Sequence, residues 1–124
     1  MTICLIDAEN VRRSVWPNLD KNQLLNRSID WANREGVAAW IIFDGPTPDG
    51  AVGEQDLGGH RAVGTAGETA DEWIIRKARE LKESKQPFWL ITSDRVLRDL
   101  ASGAERTLGG GTFARELKSL GGNS

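Results

Sequence analysis

The chain has little of the residue types that carry many enzymatic mechanisms: one cysteine and one histidine among 124 residues. A single cysteine excludes an intrachain disulfide, and Cys4 lies in an apolar run, which predicts a buried free thiol. A single histidine excludes a mechanism in which two imidazoles exchange protons. We interpret His60 as a surface or hydrogen-bonding residue rather than as a catalyst.

A long hydrophobic run is also missing. No window approaches the roughly 20 apolar residues that a membrane span requires. The N-terminus has neither the charged leader nor the long apolar stretch of a signal peptide. We therefore expect no membrane association and a reducing, cytoplasmic location. A chain of this length predicts one domain, which we assign to residues 1–120, followed by a flexible tail over residues 121–124.

The charge is nearly balanced, with 16 basic and 18 acidic side chains and a net charge of −2. This balance excludes a nucleic-acid binder that acts through bulk positive charge. However, 11 of the basic residues are arginines, and the planar guanidinium group binds two phosphate oxygens at once. The alternative is that most of these arginines cover solvated helix faces.

Apolar runs alternate with helical patterns along the chain. The runs at residues 3–6, 37–43 and 88–91 predict buried strands, and residues 60–63 and 104–108 are further candidates. Helices are predicted after capping boxes that begin at Asp20 and Thr69, after Ser93 or Asp94, and from Thr112. This alternation predicts an α/β fold in three α/β/α layers, with a mainly parallel sheet covered on both faces.

Two further features do not belong to this pattern. Residues 45–59 are rich in glycine and proline, too polar for a core element and long for a connection, which predicts a mobile binding loop or lid. The five tryptophans are mostly candidates for the core. Trp16, beside Pro17 in a loop, is the best candidate to stack on a nucleobase.

Four short acidic motifs stand where a strand would end or a helix would begin, at residues 6–10, 43–45, 68–72 and 92–94. In an open α/β sheet the carboxyl ends of the strands share one edge, where ligands bind. Acids that are distant in sequence would then meet in one cleft. Carboxylates without a basic neighbour repel each other, so such a cluster favours a bound divalent cation.

Each acid also has a purely structural interpretation. Asp7 is in a position typical of a turn or cap residue, and Asp44 before Gly45 is most often part of a plain turn. Asp94 could cap the following helix, although Ser93 could do so equally well and would leave Asp94 free.

The motif at residues 68–72 has the strongest structural interpretation. Acids in the first turn of a helix complement its dipole by roughly 0.3–1 kcal/mol each. Glu72 would complete the capping box. Asp71 and Glu68 are not needed for that cap, so one of them can face a metal ion.

Taken together, the acids favour chemistry on phosphates. Two divalent ions about 3.5–4 Å apart can activate a water and stabilise the leaving oxygen of a phosphodiester. Three or four acids at one sheet edge meet that requirement. A phosphatase with Asp7 as the nucleophile is an alternative, because Asp7 and Glu9 are spaced as in aspartyl-phosphate enzymes. The absence of a lysine soon after Asp94 argues against it.

In this order the motifs resemble the YacP-like branch of the NYN-domain proteins, a group within the PIN-like nucleases. The most specific match is Glu-Thr-Ala-Asp-Glu at residues 68–72, followed by Thr-Ser-Asp-Arg at residues 92–95. The resemblance covers nearly the whole chain. The family usually has Gly-Tyr before the asparagine of its first motif, where this chain has Ala8 and Glu9. The other matching segments are residues 5–10, 43–45, 103–104 and 113–117.

The resemblance implies a PIN-like α/β/α sandwich and a metal-dependent endoribonuclease. By position, Asp7, Asp71 and Asp94 would be the catalytic acids that bind Mg²⁺ or Mn²⁺, and the attacking group would be a metal-activated water. The remaining site residues fall into three groups: Glu68 as a further metal ligand; Asn10, Asp44, Thr92 and Ser93 as supporting residues; and Arg12, Arg13, Arg95, Arg98 and Trp16 as contacts to RNA.

Two other functions on the same sequence stay open. One is a non-catalytic module that binds RNA or the ribosome, since a fold does not fix a function. The other is the small-molecule phosphatase.

Overall fold

The structure is a computed structural model that describes residues 1–122, with side chains for residues 1–120. Six strands form one sheet in the order β3-β4-β2-β1-β5-β6. All neighbours pair in parallel except β3 and β4, which are antiparallel. The strands are β1 (Ile3–Asp7), β2 (Ala38–Phe43), β3 (Gly53–Leu57), β4 (His60–Gly64), β5 (Phe88–Ile91) and β6 (Arg106–Leu108).

Five helices cover the two faces of the sheet: α1 (Ala8–Arg13), α2 (Lys21–Glu35), α3 (Ala70–Glu83), α4 (Arg95–Leu100) and α5 (Gly110–Gly122). Helices α1, α2 and α5 pack on one face and α3 and α4 on the other, each over its own cluster of buried apolar side chains. The predicted three-layer α/β/α architecture with a mainly parallel sheet is confirmed.

Local sequence explains where the longer helices begin and end. Both predicted capping boxes are present: the Asp20 side chain accepts from the backbone N–H of Gln23 at 2.8 Å, and Thr69 accepts from that of Glu72 at 3.1 Å. Helix α2 ends at Gly36, whose φ of +72° lies in the left-handed region that favours glycine. The start of α3 is therefore fixed at Ala70, immediately before Asp71.

The prediction that residues 45–59 form one irregular loop is wrong in its second half. Residues 53–57 form β3, an exposed edge strand that pairs antiparallel with β4. The sequence is polar, but strand pairing uses backbone groups, and β4 would otherwise leave those groups unpaired at the sheet edge. The first half, residues 45–52, is tied down by backbone hydrogen bonds such as Thr47 N–H to the Ala51 carbonyl at 2.9 Å.

Several single-residue predictions can be compared with their surroundings. Cys4 is a fully buried free thiol, as predicted. His60 is buried and uses both ring nitrogens in hydrogen bonds, to the Ala39 N–H and to Asn33, so its role as a hydrogen-bonding residue is confirmed. Trp31 packs edge-on against Phe113 with ring centroids 4.9 Å apart, which joins α2 to α5.

Two findings concern the ends of predicted segments. The final helix α5 extends to Gly122, and residues 123 and 124 of the predicted tail lie outside the described residues. In the described part of the chain, no helix has the length and apolar character needed to cross a membrane.

Candidate active site

A cavity of about 420 Å³ lies at the carboxyl ends of the central strands, where β1, β2 and β5 end. It gathers acids from four separate segments of the chain, as the sequence predicted. Its lining consists of Asp7, Glu9, Asn10, Arg13, Ser14, Asp44, Thr69, Ala70, Asp71 and Asp94.

Asp7 is the most buried of these acids, with 5% of its surface exposed. It is the last residue of β1, and α1 begins at the next residue, so strand and helix together fix its position. Burial, together with the negative charges of Asp71 and Asp94, raises the pKa of its carboxyl group to about 6. A buried carboxylate among other carboxylates marks a place where a cation would be stabilised.

Asp71 lies in the first turn of α3, and the Thr69 cap holds that turn in place. Partial burial raises the pKa of its carboxyl group, and the charges of Asp94 and Asp44 act in the same direction. Glu72, its neighbour, completes the capping box and does not line the cavity. The prediction that Glu72 completes the capping box, and that Asp71 is not needed for it, is therefore confirmed.

Asp94 is the N-cap residue of α4. Its Oδ1 atom accepts from the backbone N–H groups of Val96 at 2.9 Å and Leu97 at 3.1 Å. The alternative that Ser93 caps the helix and leaves Asp94 free is wrong, because the Ser93 hydroxyl accepts instead from the Gly110 N–H at 2.8 Å. The cap uses Oδ1 alone, so Asp94 combines a structural role with its place in the cavity.

Asp44 connects two elements that carry the site. Its Oδ1 atom accepts from the Ala70 N–H at 3.2 Å, which joins the end of β2 to the start of α3. This contact gives Asp44 a structural function, in agreement with its interpretation as a turn residue, and it also lines the cavity.

The supporting residues form a chain of hydrogen bonds around the acids. Thr92 is fully buried, and its hydroxyl donates to Oδ2 of Asp7 at 3.1 Å and accepts from the Asp94 N–H at 3.2 Å. Oδ1 of Asn10 accepts from the Ser93 N–H at 2.9 Å. Through these bonds, β1, α1 and the segment between β5 and α4 hold one another in place.

Gly110 also belongs to this network, although it lies before Thr112, where the sequence predicted the start of the last helix. A Cβ atom at this position would overlap Oδ1 of Asn10 and would lie 3.0 Å from the Ser14 hydroxyl. Glycine is therefore required for the close approach of α5 to α1. The run of three glycines at 109–111 was the available signal, but its partner in α1 is distant in sequence.

Not every predicted site residue lies at the cavity. Glu68 is ion-paired with Arg76 and does not line it. Arg12 binds Glu9 at 2.8 Å and the Leu19 carbonyl at 2.9 Å, so its guanidinium is already engaged. Arg13 does line the cavity and has a largely exposed side chain.

The other predicted RNA contacts lie nearby in sequence but differ in exposure. Arg95 is exposed at the start of α4, whereas Arg98 is half-buried and donates from Nε to the Thr92 carbonyl at 2.8 Å. Trp16 is 87% exposed, which leaves its ring open to a partner.

The donor chemistry of the cavity fits Mg²⁺ or Mn²⁺, because the groups that line it offer carboxylate, amide and hydroxyl oxygens and no imidazole or thiol. Buried Asp7 among other acids is the observation that favours a cation. However, within residues 1–120 no three acidic, histidine or cysteine side chains are close enough together to hold an ion by themselves. An ion here would bind to one or two carboxylates and keep several waters, which is the usual mode for Mg²⁺.

Comparison with known proteins supports the same assignment of fold. The model of the YacP-like NYN domain family matches residues 7–120 of this chain. The crystal structure of Rae1 (YacP) from Bacillus subtilis superposes with a TM-score of 0.67 at 22% identity, covering 99% of this chain and 77% of that one. A tryptophan-to-leucine mutant of the same protein gives a TM-score of 0.67 at 21% identity, covering 99% and 79%. None of the curated proteins matches the chain. At these identities the structural likeness shows the PIN-like fold.

Proposed function

The chain belongs to the YacP-like NYN domain family, and from this premise we propose that it is an endoribonuclease that uses Mg²⁺ or Mn²⁺ to cleave RNA phosphodiester bonds. The family and its PIN-like fold give the coarser part of this statement, a nuclease role related to RNA. The dependence on a metal ion and the internal cleavage of the RNA are our proposal.

One observation carries the proposal: Asp7 is buried beside Asp71 and Asp94, and its pKa is raised by burial and by both charges. Such an arrangement is costly without a compensating cation. One or two of the carboxylates of Asp7, Asp71 and Asp94 would bind the ion, waters would complete its coordination, and Asp44 lines the same cavity. When bound, the ion would polarise a water and a phosphate oxygen and offset the charge that develops during cleavage.

The protein's own residues would have distinct tasks. Thr92 holds Asp7 and the Asp94 backbone at a fixed separation through its hydroxyl. Asn10 fixes the segment that carries Asp94 by binding the Ser93 N–H. Arg13, at the cavity wall, would bind a phosphate of the RNA and offset part of the negative charge of the acids. Glu68 is left out of this set because it is paired with Arg76.

The test is cleavage of a circular single-stranded RNA, which has no ends and can be opened only by an endonuclease. We expect linear products with Mn²⁺ or Mg²⁺, none with excess chelator, and none from Asp7→Asn purified in the same way. The matched control is Asp99→Asn, which removes an exposed aspartate outside the cavity and should cleave normally. Equal cleavage in chelator, or by Asp7→Asn, would contradict the metal mechanism.

A second function is favoured by the spacing of the acids, which does not bring three ligands together within residues 1–120. On that basis the alternative is an RNA-binding module without catalytic activity. The same experiment distinguishes the two, because the module would bind the circular RNA and leave it intact with either metal.

A further inference from the structure

Helix α5 begins with a glycine-rich turn, residues 109–111, in which Gly110 and Gly111 are the first two helical residues, and this turn lies against one wall of the cavity. A Cβ atom at Gly110 would overlap Oδ1 of Asn10, and one at Gly111 would lie 3.8 Å from Cβ of Ser14. Asn10 and Ser14 both line the cavity. The turn is therefore a direct continuation of the cavity wall, on the side formed by α1.

Two guanidinium groups lie on either side of this turn. Nη2 of Arg98 is 3.8 Å from the position that a Cβ of Gly109 would occupy. Nη1 of Arg115 is 3.4 Å from the corresponding position at Gly111. Arg98 is held in orientation by its bond from Nε to the Thr92 carbonyl, whereas Arg115 projects from the exposed side of α5.

Neither guanidinium has a carboxylate partner in the part of the chain that the structure describes. Five of the other nine arginines do have one, among them Arg12 with Glu9, Arg61 with Glu54 and Arg76 with Glu68. In a chain with more acids than bases, two cations left without carboxylates beside an acidic cavity are available to an external anion.

We propose that Arg98 and Arg115 each bind a backbone phosphate of RNA, in the stretch of the strand next to the phosphate that is cleaved. The ligand class is the RNA phosphodiester, since two guanidiniums across a turn suit an extended chain of phosphates better than one isolated anion. This inference rests on the proposed function for its choice of RNA. It assigns an RNA phosphate contact to Arg115, which no sequence motif indicated. Arg12, for which such a contact was predicted, already uses its guanidinium within the protein.

The site defines a path for the RNA strand across the protein surface. The scissile phosphate would lie at the acids, where a cation offsets its charge. The neighbouring phosphates would lie past Ser14 at the glycine-rich turn, where Arg98 and Arg115 supply the positive charge. Cations beside the acids, rather than among them, would hold the substrate without competing with the metal ion for the carboxylates.

The experiment measures binding of a short fluorescent single-stranded RNA by anisotropy in chelator, so that cleavage does not interfere. The variants are Arg115→Ala and Arg98→Gln, the second chosen because glutamine retains an N–H donor for the Thr92 carbonyl. The control is Arg79→Ala, which removes an exposed arginine of α3 that also has no carboxylate partner in the described part of the chain. Thermal unfolding of each variant checks that the fold is intact.

We expect each site variant to lower the slope of log K against log salt by about 0.7, the value for one phosphate contact on a single strand. Near 0.1 M salt this is a loss of about fivefold in affinity. The control should change neither quantity. If Arg115→Ala and Arg98→Gln bind like the wild type, or if Arg79→Ala loses as much as they do, the site is refuted.

Two further outcomes separate this site from the proposed function. RNA binding that depends on Arg115, without cleavage in either metal, would support the site and refute the ribonuclease. Cleavage of RNA by the wild type, together with RNA binding by Arg115→Ala that equals that of the wild type, would support the ribonuclease and refute the site. Inorganic phosphate and unlabelled RNA are also compared as competitors of the fluorescent RNA, at equal concentrations of phosphate groups. Equal displacement by the two would refute the assignment to the RNA backbone.

Discussion

The hydroxyl of Thr92 donates a hydrogen bond to the carboxylate of Asp7 at 3.1 Å. Asp7 is the last residue of β1, and Thr92 directly follows the neighbouring strand β5. The same hydroxyl oxygen accepts from the Asp94 N–H at 3.2 Å. One buried threonine therefore sets the separation between the first and the last acid of the cavity.

Thr92→Val should raise the pKa of Asp7 beyond its present value, because the hydrogen bond from Thr92 lowers it. It should also cost about 1–3 kcal/mol of stability, since the Asp94 N–H loses its partner in a partly buried position. Carboxyl titration by NMR measures the first effect, and urea unfolding measures the second. Thr107→Val, at an exposed position of β6, is the matched control and should change neither. An unchanged Asp7 titration would show that the bond is not formed in solution.

Asp7 should make stability fall as the pH rises. Its pKa in the fold is about 6 and its ordinary value is 3.8, so between these values the folded state binds more protons than the unfolded state. The free energy of unfolding should therefore decrease through this interval by about 3 kcal/mol, at 1.36 kcal/mol for each pKa unit, and stay low above it. Asp7→Asn should abolish this decrease and be at least as stable as the wild type at neutral pH. A wild-type profile that rises through this interval would contradict the assignment.

Mn²⁺ should raise the midpoint of thermal unfolding, and more strongly above pH 6 than below it, because protonated Asp7 cannot bind a cation. Asp71→Asn should reduce this shift, whereas Asp99→Asn, with its side chain outside the cavity, should preserve it. Differential scanning calorimetry with and without metal measures all three proteins. Equal shifts in Asp71→Asn and Asp99→Asn would indicate that the ion binds elsewhere.

Two substitutions of Asp94 should separate its roles. Asp94→Asn keeps an oxygen that can accept from Val96 and Leu97, so stability should be retained while cleavage is lost. Asp94→Ala should lose cleavage and also about 1 kcal/mol of stability. Asp20→Ala, which removes the cap of α2, should cost a similar amount and leave cleavage intact. If Asp94→Asn unfolds the protein, its role is structural.

Gly110→Ala should reduce cleavage and stability together, because its Cβ would overlap Asn10 and displace the segment that Asn10 holds. Gly111→Ala is the neighbouring control, since its Cβ would make contacts of 3.4 Å or longer and alanine is the better helix former by about 1 kcal/mol. Single-turnover cleavage and thermal unfolding measure both variants. Similar effects at the two positions would argue against a specific contact with Asn10.

The sequence predicted the parts of the fold that depend on local patterns. The apolar runs of β1, β2 and β5 indicated buried parallel strands, and the capping boxes located the starts of α2 and α3. The acids could be placed at one sheet edge because the ends of parallel strands coincide there. These features could be predicted because apolar strand patterns and helix caps each depend on only a few residues that are close in sequence.

What the sequence could not provide depends on partners that are distant along the chain or on the choice between similar neighbours. Strand β3 is polar, and only the free edge of β4 explains its pairing. Glu68 was predicted to bind the metal, but its carboxylate forms an ion pair with Arg76, which lies two turns along α3. Ser93 and Asp94 are both good helix caps. The Ser93 hydroxyl accepts a hydrogen bond from the Gly110 N–H instead, so Asp94 caps the helix.

The order of the strands also bears on how the protein is made. Asp7 comes at the end of the first strand, whereas Asp94 follows the fifth strand and Gly110 follows the sixth, so a growing polypeptide cannot assemble all walls of the cavity until residue 110 has been added. A product that ends before Thr92 lacks the hydrogen-bonded bridge between Asp7 and Asp94. The proposed ribonuclease would therefore have no assembled cavity while its first 91 residues are being translated.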